Sequence, residues 1–326
     1  MLQHFRITGS GRMVPAHRIT SEELDGRLGL SPGTTFRRTG VHTRYEAREP
    51  ENAATMTRTV VAAALAEAGC GLTGIDQIID ASLCLQQPIP CNAALVQESL
   101  GPEAAGIPCM DVHASCLGFV AALRVANGLF ASQAANRILV VCAETPLKGV
   151  NWAEPESACL MGDAATAYVL EAMTPRPACV FRMETFAEGA NLCVVEGGGH
   201  RLPSYAYSPA QHARYCFHME GREVHKMAAR YLPGLLQRAL EEAECTLEQV
   251  EIIPHQASGP AIELMARRLK LPAHRLHATV AKHGNLVAAS IPYVLHEVRQ
   301  RCAAGTRVLL LGTAAGYTQA VSVFSL

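Results

Sequence analysis

Charge is scarce in this chain of 326 residues: Asp, Glu, Lys and Arg make up 17% against 49% hydrophobic residues, and the formal net charge is −1. Such a composition excludes a disordered chain and leaves enough apolar mass to bury two cores. No run of five like charges occurs, so electrostatics points neither to nucleic acid nor to an anionic membrane as partner. CxxC pairs are absent as well. The twelve cysteines are scattered from Cys70 to Cys302, mostly in apolar segments, which speaks for reduced, largely structural thiols. The start, Met1-Leu2-Gln3-His4-Phe5-Arg6, lacks the apolar core and small-residue cleavage site of a signal peptide, so a cytoplasmic location is expected. The apolar stretch Val308 to Leu326 is interrupted by Gly312, Thr313, Gly316, Thr318, Gln319 and Ser322, a pattern that predicts two buried strands around a glycine turn and no membrane span. A GxSxG elbow is missing, which excludes that type of serine hydrolase. Gly9-Ser10-Gly11-Arg12-Met13 lacks the third glycine of a dinucleotide fingerprint and leads into proline. His274 and His277 stand three apart in a polar loop without a third ligand of metal-site spacing, so no zinc site is expected there.

What is present is a repeat. Ala64-Leu65-Ala66-Glu67-Ala68-Gly69-Cys70-Gly71-Leu72 matches Ala239-Leu240-Glu241-Glu242-Ala243-Glu244-Cys245-Thr246-Leu247 at six of nine positions. In both places an amphipathic helical pattern (54–69 and 220–244) precedes an apolar run (75–82 and 250–258). Each half continues with a helical stretch (93–100; 260–269), a strand-like entry into a long helix (110–130; 279–302) and a β run (138–142; 308–311). Repeated βαβα units bury their strands between helical layers, which predicts two similar α/β halves packed sheet to sheet across central helices, with any site at the seam. The halves are placed at 1–172 and 173–326. Residues 171–215, richer in Gly, Pro and Tyr, read as a surface connector between them.

The segment Asp111-Val112-His113-Ala114-Ser115-Cys116-Leu117-Gly118-Phe119 passes from a strand-like stretch into a helix whose first turn would hold Cys116. Free NH groups and the positive end of a helix dipole favour a thiolate there, and the same NH groups can receive an oxyanion. In the second half, Ile252-Ile253-Pro254-His255-Gln256-Ala257-Ser258 puts a histidine at the end of an apolar strand, and Lys282-His283-Gly284-Asn285 puts an amide at a glycine turn. His283, two residues before Asn285, reads as a loop histidine, with lining of the cleft as the alternative.

Across nearly its whole length the sequence resembles the ketoacyl-ACP synthase III family of the thiolase-like superfamily. The residues that carry the resemblance are Arg38-Thr39-Gly40-Val41, the run through Cys116, Gly162-Asp163-Ala164-Ala165, Met219-Glu220-Gly221-Arg222-Glu223-Val224, His255-Gln256-Ala257, and Gly284-Asn285 followed by Ala288-Ala289-Ser290-Ile291-Pro292. The resemblance implies a five-layered thiolase-like fold and an acyltransferase with Cys116, His255 and Asn285 as its catalytic residues. It implies that Cys116 accepts an acyl group from a CoA or carrier-protein thioester, with the backbone NH groups of Cys116 and Gly316 as oxyanion hole. His255 and Asn285 would then support decarboxylation of a malonyl thioester and condensation with the held acyl group. Met161, Phe217 and Met219 would line the acyl tunnel, Arg38 would contact substrate, and Ile89 would reach in from the partner of a homodimer. No metal or organic cofactor is implied.

Several positions depart from the family pattern. Gly33-Thr34-Thr35-Phe36 stands where a tryptophan often stacks on adenine, and Glu154-Pro155-Glu156-Ser157 replaces a basic residue. Thr313-Ala314-Ala315-Gly316-Tyr317 replaces a glycine cluster, and the histidine motif ends in Ser258. These departures point to a specialised member that handles an unusual acyl group in secondary metabolism. Two other functions stay open at this level: non-decarboxylating transfer to an alcohol or amine with His255 as general base, and a non-catalytic partner subunit.

Overall fold

The computed structural model describes residues 1–176 and 179–326. In the first half the elements are β1 (Gln3–Met13), β2 (His17–Thr20), α1 (Ser21–Arg27), α2 (Thr34–Thr39), β3 (Thr43–Glu46), α3 (Ala53–Ala68), β4 (Gln77–Asp80), α4 (Asn92–Leu100), β5 (Cys109–Asp111), α5 (Gly118–Ala131), β6 (Arg137–Glu144), α6 (Pro155–Ala158) and β7 (Ala164–Arg176). There follow β8 (Val180–Thr185), β9 (Cys193–Val194), β10 (His218–Met219), α7 (Gly221–Glu242), β11 (Glu251–Pro254), α8 (Gly259–Leu269), α9 (Val280–His283), α10 (Ser290–Arg301), β12 (Arg307–Ala314) and β13 (Thr318–Ser325). Among the described residues no helix is long and apolar enough to cross a membrane.

The repeat is carried into three dimensions. The first sheet has the order β1-β7-β6-β4-β5 and the second β8-β13-β12-β11. In each, an antiparallel edge strand and its antiparallel neighbour lead into parallel pairing, β6 with β4 and β12 with β11. Among the described residues the second sheet has no fifth strand; a single parallel bridge between Ile252 and Leu276 stands in its place. The expected strand-like entry at Thr279 is therefore corrected to the short helix α9, which branches off before any ladder forms. The matched nine-residue segments adopt one local structure. Cys70 N donates to Leu65 O and Cys245 N to Leu240 O, both at 3.1 Å, and Gly69 and Glu244 both take left-handed backbone at the helix ends.

Alternation along the strands builds the layers. On β6, Ile138, Val140 and Cys142 face the central core while Leu139, Val141 and Ala143 face α3 and α4. On β12, Val308 and Leu310 face the same central core and Leu309 and Leu311 face α7. Strands with both faces covered read as continuous apolar runs, which is why these segments stand out in the sequence. The central core is filled by Phe119, Val120, Leu123 and Phe130 of α5 and Ile291, Val294, Leu295 and Val298 of α10. Each such fully buried side chain stabilises the fold by roughly 1.5–3 kcal/mol. The result is helix, sheet, helix pair, sheet, helix: five layers. The segment expected as a wandering connector from 171 is partly sheet, since β7 runs on to Arg176 and β8 supplies the edge of the second sheet. Only beyond Thr185 does the chain leave the layers in short turns before α7.

Candidate active site

The seam between the halves is formed by two matching turns. Ser115–Leu117 and Val287–Ala289 are 3-10 turns that lead directly into α5 and α10, and each opens on a residue in left-handed backbone, Ser115 at φ 49° and Val287 at φ 52°. Non-glycine residues sit in that region when surrounding structure forces them there, a form of stored strain that clusters at functional sites. The two turns pack on each other, and the first also packs on β12. Cys116 therefore lies in the 3-10 turn before α5, one turn earlier than expected. A side chain at Gly118 would come within 2.1 Å of Ala81 O, so only glycine lets this turn settle against β4.

Around Cys116 is an apolar wall of Leu147, Val150, Ala158, Met161 and Val287, with Leu28, Leu83 and Phe217 packed against it. Burial pushes the Cys116 thiol up to about 12, and Cys193 and Glu144 act in the same direction. The expected thiolate is thus corrected: desolvation of a buried anion outweighs the help of the local NH groups, and Cys116 rests as a thiol. Glu144, fully buried, accepts hydrogen bonds from Leu83 N at 2.6 Å and Cys84 N at 3.0 Å, and burial lifts its carboxyl to about 7.

His255 follows β11 and continues its ladder through a bond from its N to Leu311 O at 2.8 Å. Burial lowers its imidazole to about 4, so the ring is neutral at physiological pH, and Nδ1 has no hydrogen-bond partner among the described residues. Its position depends on Gly312, where an added Cβ would lie 2.6 Å from His255 Cβ and 3.4 Å from Leu117 Cδ2. Gly312 is thus the floor between the histidine and the cysteine turn. Gln256 locks the next step of the chain, accepting from Thr279 N and Val280 N at 2.8 and 3.1 Å and donating to Pro254 O at 2.6 Å. Ser258, the departure noted above, caps α8 by accepting from Ala261 N at 3.2 Å.

Asn285 is oriented by its own oxygen. Oδ1 accepts from Val287 N at 2.9 Å and Ser290 Oγ at 3.4 Å, which makes Nδ2 the donor end; it donates to Ala257 O in the histidine segment at 3.4 Å and has a second N–H to offer. Val287 in turn touches the wall around Cys116. These contacts link the three expected residues at one seam, each from a different element.

The remaining expected residues fall in different places. Met161 and Phe217 share the apolar wall with Cys116. Met219 lies on β10 opposite Cys193 of β9. Gly316 sits in the β12–β13 turn with left-handed backbone, φ 79°. Arg38 is exposed in the last turn of α2, and Ile89 is 84% exposed. Phe36 is 41% exposed and stacks on His42 with ring centroids 4.1 Å apart, so one of its faces is already covered. Glu154 of the acidic departure pairs with His218 at 3.2 Å. His274 and His277 pair with Glu248 and Glu251, and among the described residues no cluster of metal-ligating side chains occurs. His283 packs between the rings of Tyr45 and Tyr293, where burial lowers it to about 4. All twelve cysteines are free thiols. Val150, Leu147, Gly312 and Glu144 were not singled out as site residues from sequence; the alternation of β6 and β12, carried one step further on the central face, from Cys142 and from Leu310, reaches Glu144 and Gly312.

The fold recurs among known proteins. Residues 110–189 match the 3-oxoacyl-(acyl-carrier-protein) synthase III family profile, and residues 240–326 match the C-terminal profile of the same name. The chain is similar to the beta-ketoacyl-(acyl-carrier-protein) synthase III of Roseiflexus castenholzii, 34% identical over 97% of this chain and 96% of that one. It superposes on the crystal structure of 3-oxoacyl-(acyl-carrier-protein) synthase III from Aquifex aeolicus with a TM-score of 0.86, 28% identity and 100% of both chains covered. The corresponding Thermus thermophilus structure gives 0.87 at 30% identity, with 98% of each chain covered.

Proposed function

Because this chain belongs to the 3-oxoacyl-(acyl-carrier-protein) synthase III family, we propose that it is an acyltransferase that forms an acyl-enzyme at Cys116 and condenses that group with a malonyl thioester. In the first half-reaction the Cys116 sulfur attacks the thioester carbonyl; the new sulfur–carbon bond replaces the bond to the CoA or carrier thiol, which leaves with the proton of Cys116. Backbone NH groups of Cys116 and Gly316 receive the oxyanion. The acyl chain lies against Met161, Phe217 and Val150, with Met219 further along the same path. In the second half-reaction the malonyl thioester loses carbon dioxide, and its enolate oxygen is held by Nε2–H of His255 and Nδ2–H of Asn285. The enolate carbon then attacks the acyl carbonyl and expels Cys116 as thiolate, which regains a proton.

The observation that carries this reading is the meeting at one seam of the Cys116 turn, His255 and the donor end of Asn285, with the His255 ring buried and thereby a weakened base and a ready hydrogen-bond donor. That favours stabilisation of an enolate over general-base transfer to an alcohol or amine. Incubation with an acyl thioester and malonyl carrier protein tests it: carbon dioxide and a ketoacyl product are expected, whereas an acyl-enzyme that yields neither would refute condensation. Intact mass after acyl-thioester treatment should show one acyl group on the wild type and none on Cys116→Ala. A homodimer is part of the proposal. The exposed side chains of Leu85 and Ile89 on the loop that Glu144 anchors are a surface for a second copy, whose Ile89 would reach the acyl path.

A further inference from the structure

Asn285 is fixed through its main chain as well as its side chain. Its N donates to Leu160 O at 2.9 Å and its O accepts from Gly162 N at 3.0 Å, so the segment 160–162 sets where the amide sits. That segment precedes β7 and has no regular ladder of its own; what holds it comes from β3 and its continuation. Arg44 Nη1 donates to Ala158 O at 3.2 Å, Asp163 N donates to Tyr45 O at 2.9 Å, and the Asp163 carboxylate accepts from Ala47 N at 2.8 Å and Leu147 N at 3.1 Å. The same strand grips the other side of the asparagine loop, with His42 N donating to Ala281 O and Thr43 Oγ1 to Lys282 O, both at 2.7 Å. Gly162 has no slack, since a Cβ there would stand 2.2 Å from His283 O and 3.5 Å from Arg44 Cβ.

Arg44 and Asp163 are both fully buried. Arg44 keeps Nε and Nη2 without hydrogen-bond partners among the described residues, a costly arrangement for a guanidinium. Both residues meet the wall around Cys116 only at its backbone, Arg44 at Ala158 O and Asp163 at Leu147 N, and neither is a group that the proposed chemistry uses directly. We propose that Asp163 and Arg44 are positioning residues for the decarboxylating half-reaction, acting through the 158–163 segment on the amide of Asn285. Stability alone would be served as well by apolar residues of similar volume; Arg44, donating to Ala158 O, and Asp163, accepting from Ala47 N and Leu147 N, fix the segment in one place by directed bonds to the backbone.

This inference rests on the role proposed above for Asn285, and the test separates the two. The rates to measure are acylation of Cys116, by intact mass, and release of carbon dioxide from malonyl carrier protein, in wild type, Asp163→Asn, Asn285→Ala and the double variant. Asp163→Asn is expected to slow decarboxylation about 10- to 100-fold, as for groups displaced by a fraction of an ångström to an ångström. Acylation should stay within about threefold and KM for the malonyl thioester unchanged, the loss lying in kcat. In the Asn285→Ala background the same change should add little, because its route of action is gone. Parallel loss of both half-reactions, or losses that multiply in the double variant, would mark a merely structural role and overturn the assignment. If Asn285→Ala itself leaves decarboxylation intact, the functional reading of Asn285 fails, and this inference fails with it at an identifiable step. Should Asp163→Asn not fold, Arg44→Met, which keeps the length without the charge, carries the same comparison.

Discussion

Replacing Gly312 by alanine adds one methyl group between His255 and Leu117, the neighbour of Cys116 in its turn. Its carbon would lie 2.6 Å from His255 Cβ, against the roughly 3.5–4.0 Å at which carbon atoms attract, so about 1 Å of movement must be found. Leu117 Cδ2, at 3.4 Å, needs to give far less. Strand β12 is paired on both sides, with β11 and β13, so it cannot easily retreat and the strain falls on His255. Overpacking of this kind costs about 1–3 kcal/mol. For a chain of 326 residues the unfolding entropy is roughly 0.7 kcal/mol per degree, so Tm should fall by about 1.5–4 °C. A displacement near 1 Å of a hydrogen-bond donor costs on the order of 100-fold in rate. Thermal melts paired with the two half-reaction assays are therefore expected to give a modest drop in Tm, decarboxylation down 10- to 100-fold, and acylation of Cys116 changed only a few-fold. A variant with the lowered Tm but wild-type decarboxylation would refute the role of His255; one with neither change would refute the packing argument.

Alkylation of Cys116 by iodoacetamide, followed by peptide mass mapping, should rise about tenfold per pH unit beyond pH 9 without a plateau below pH 10, since burial lifts the thiol to about 12; a plateau near pH 7 would mean a resting thiolate. Glu144 is raised to about 7, so between pH 4.5 and 7 the native state keeps a proton that the unfolded chain releases, and its contribution is lost as pH rises through that window. Denaturant melts should show Glu144→Gln gaining on the wild type by up to about 3 kcal/mol over that range and no further change above it. His255 and His283 act with the opposite sign: both are lowered to about 4, so their contribution is complete above pH 6.5 and is lost as pH falls toward 4, which His283→Phe should partly remove in the same melts. Val150→Phe, in the wall beside Phe217, should fill the acyl path and shift the preferred donor toward shorter chains in an acyl-thioester series; an unaltered preference would place the path elsewhere.

The layered fold was legible because its causes are local. The strand runs 138–142 and 308–311 are apolar on every residue, since helices cover both faces of their sheets, and the repeated Ala-Leu-x-Glu-Ala-x-Cys segment ends two helices with the same turn and the same hydrogen bond. The strand expected at Thr279 failed for a reason that lies outside the segment: the second sheet stops at β11, and Leu276 makes only a single bridge to it. The connector was misread in part because β7 continues past the end of its buried face as the partly exposed Glu-Ala-Met-Thr-Pro-Arg, where composition alone resembles a loop.

The site shows the same division. Residue identity and order could nominate Cys116, His255 and Asn285, but their electrostatic state depends on neighbours far away in the chain. A helix start favours a thiolate only where water or a positive group shares the cost, and around Cys116 the neighbours are Met161, Val287 and a carboxyl at Glu144. Burial drives the cysteine, the histidine and the carboxyl alike toward their neutral forms. A site of neutral donors works by holding hydrogen bonds where negative charge will appear, and such donors contribute most when water is excluded and their directions are fixed beforehand. Fixing direction is a backbone task here: Gly312 sets His255, Gln256 ties its loop to 279–280, and the 160–162 segment sets Asn285. The residues that do this are glycines, a glutamine and a buried ion-bearing strand, side chains whose importance has no signature until the strands they bridge are seen together.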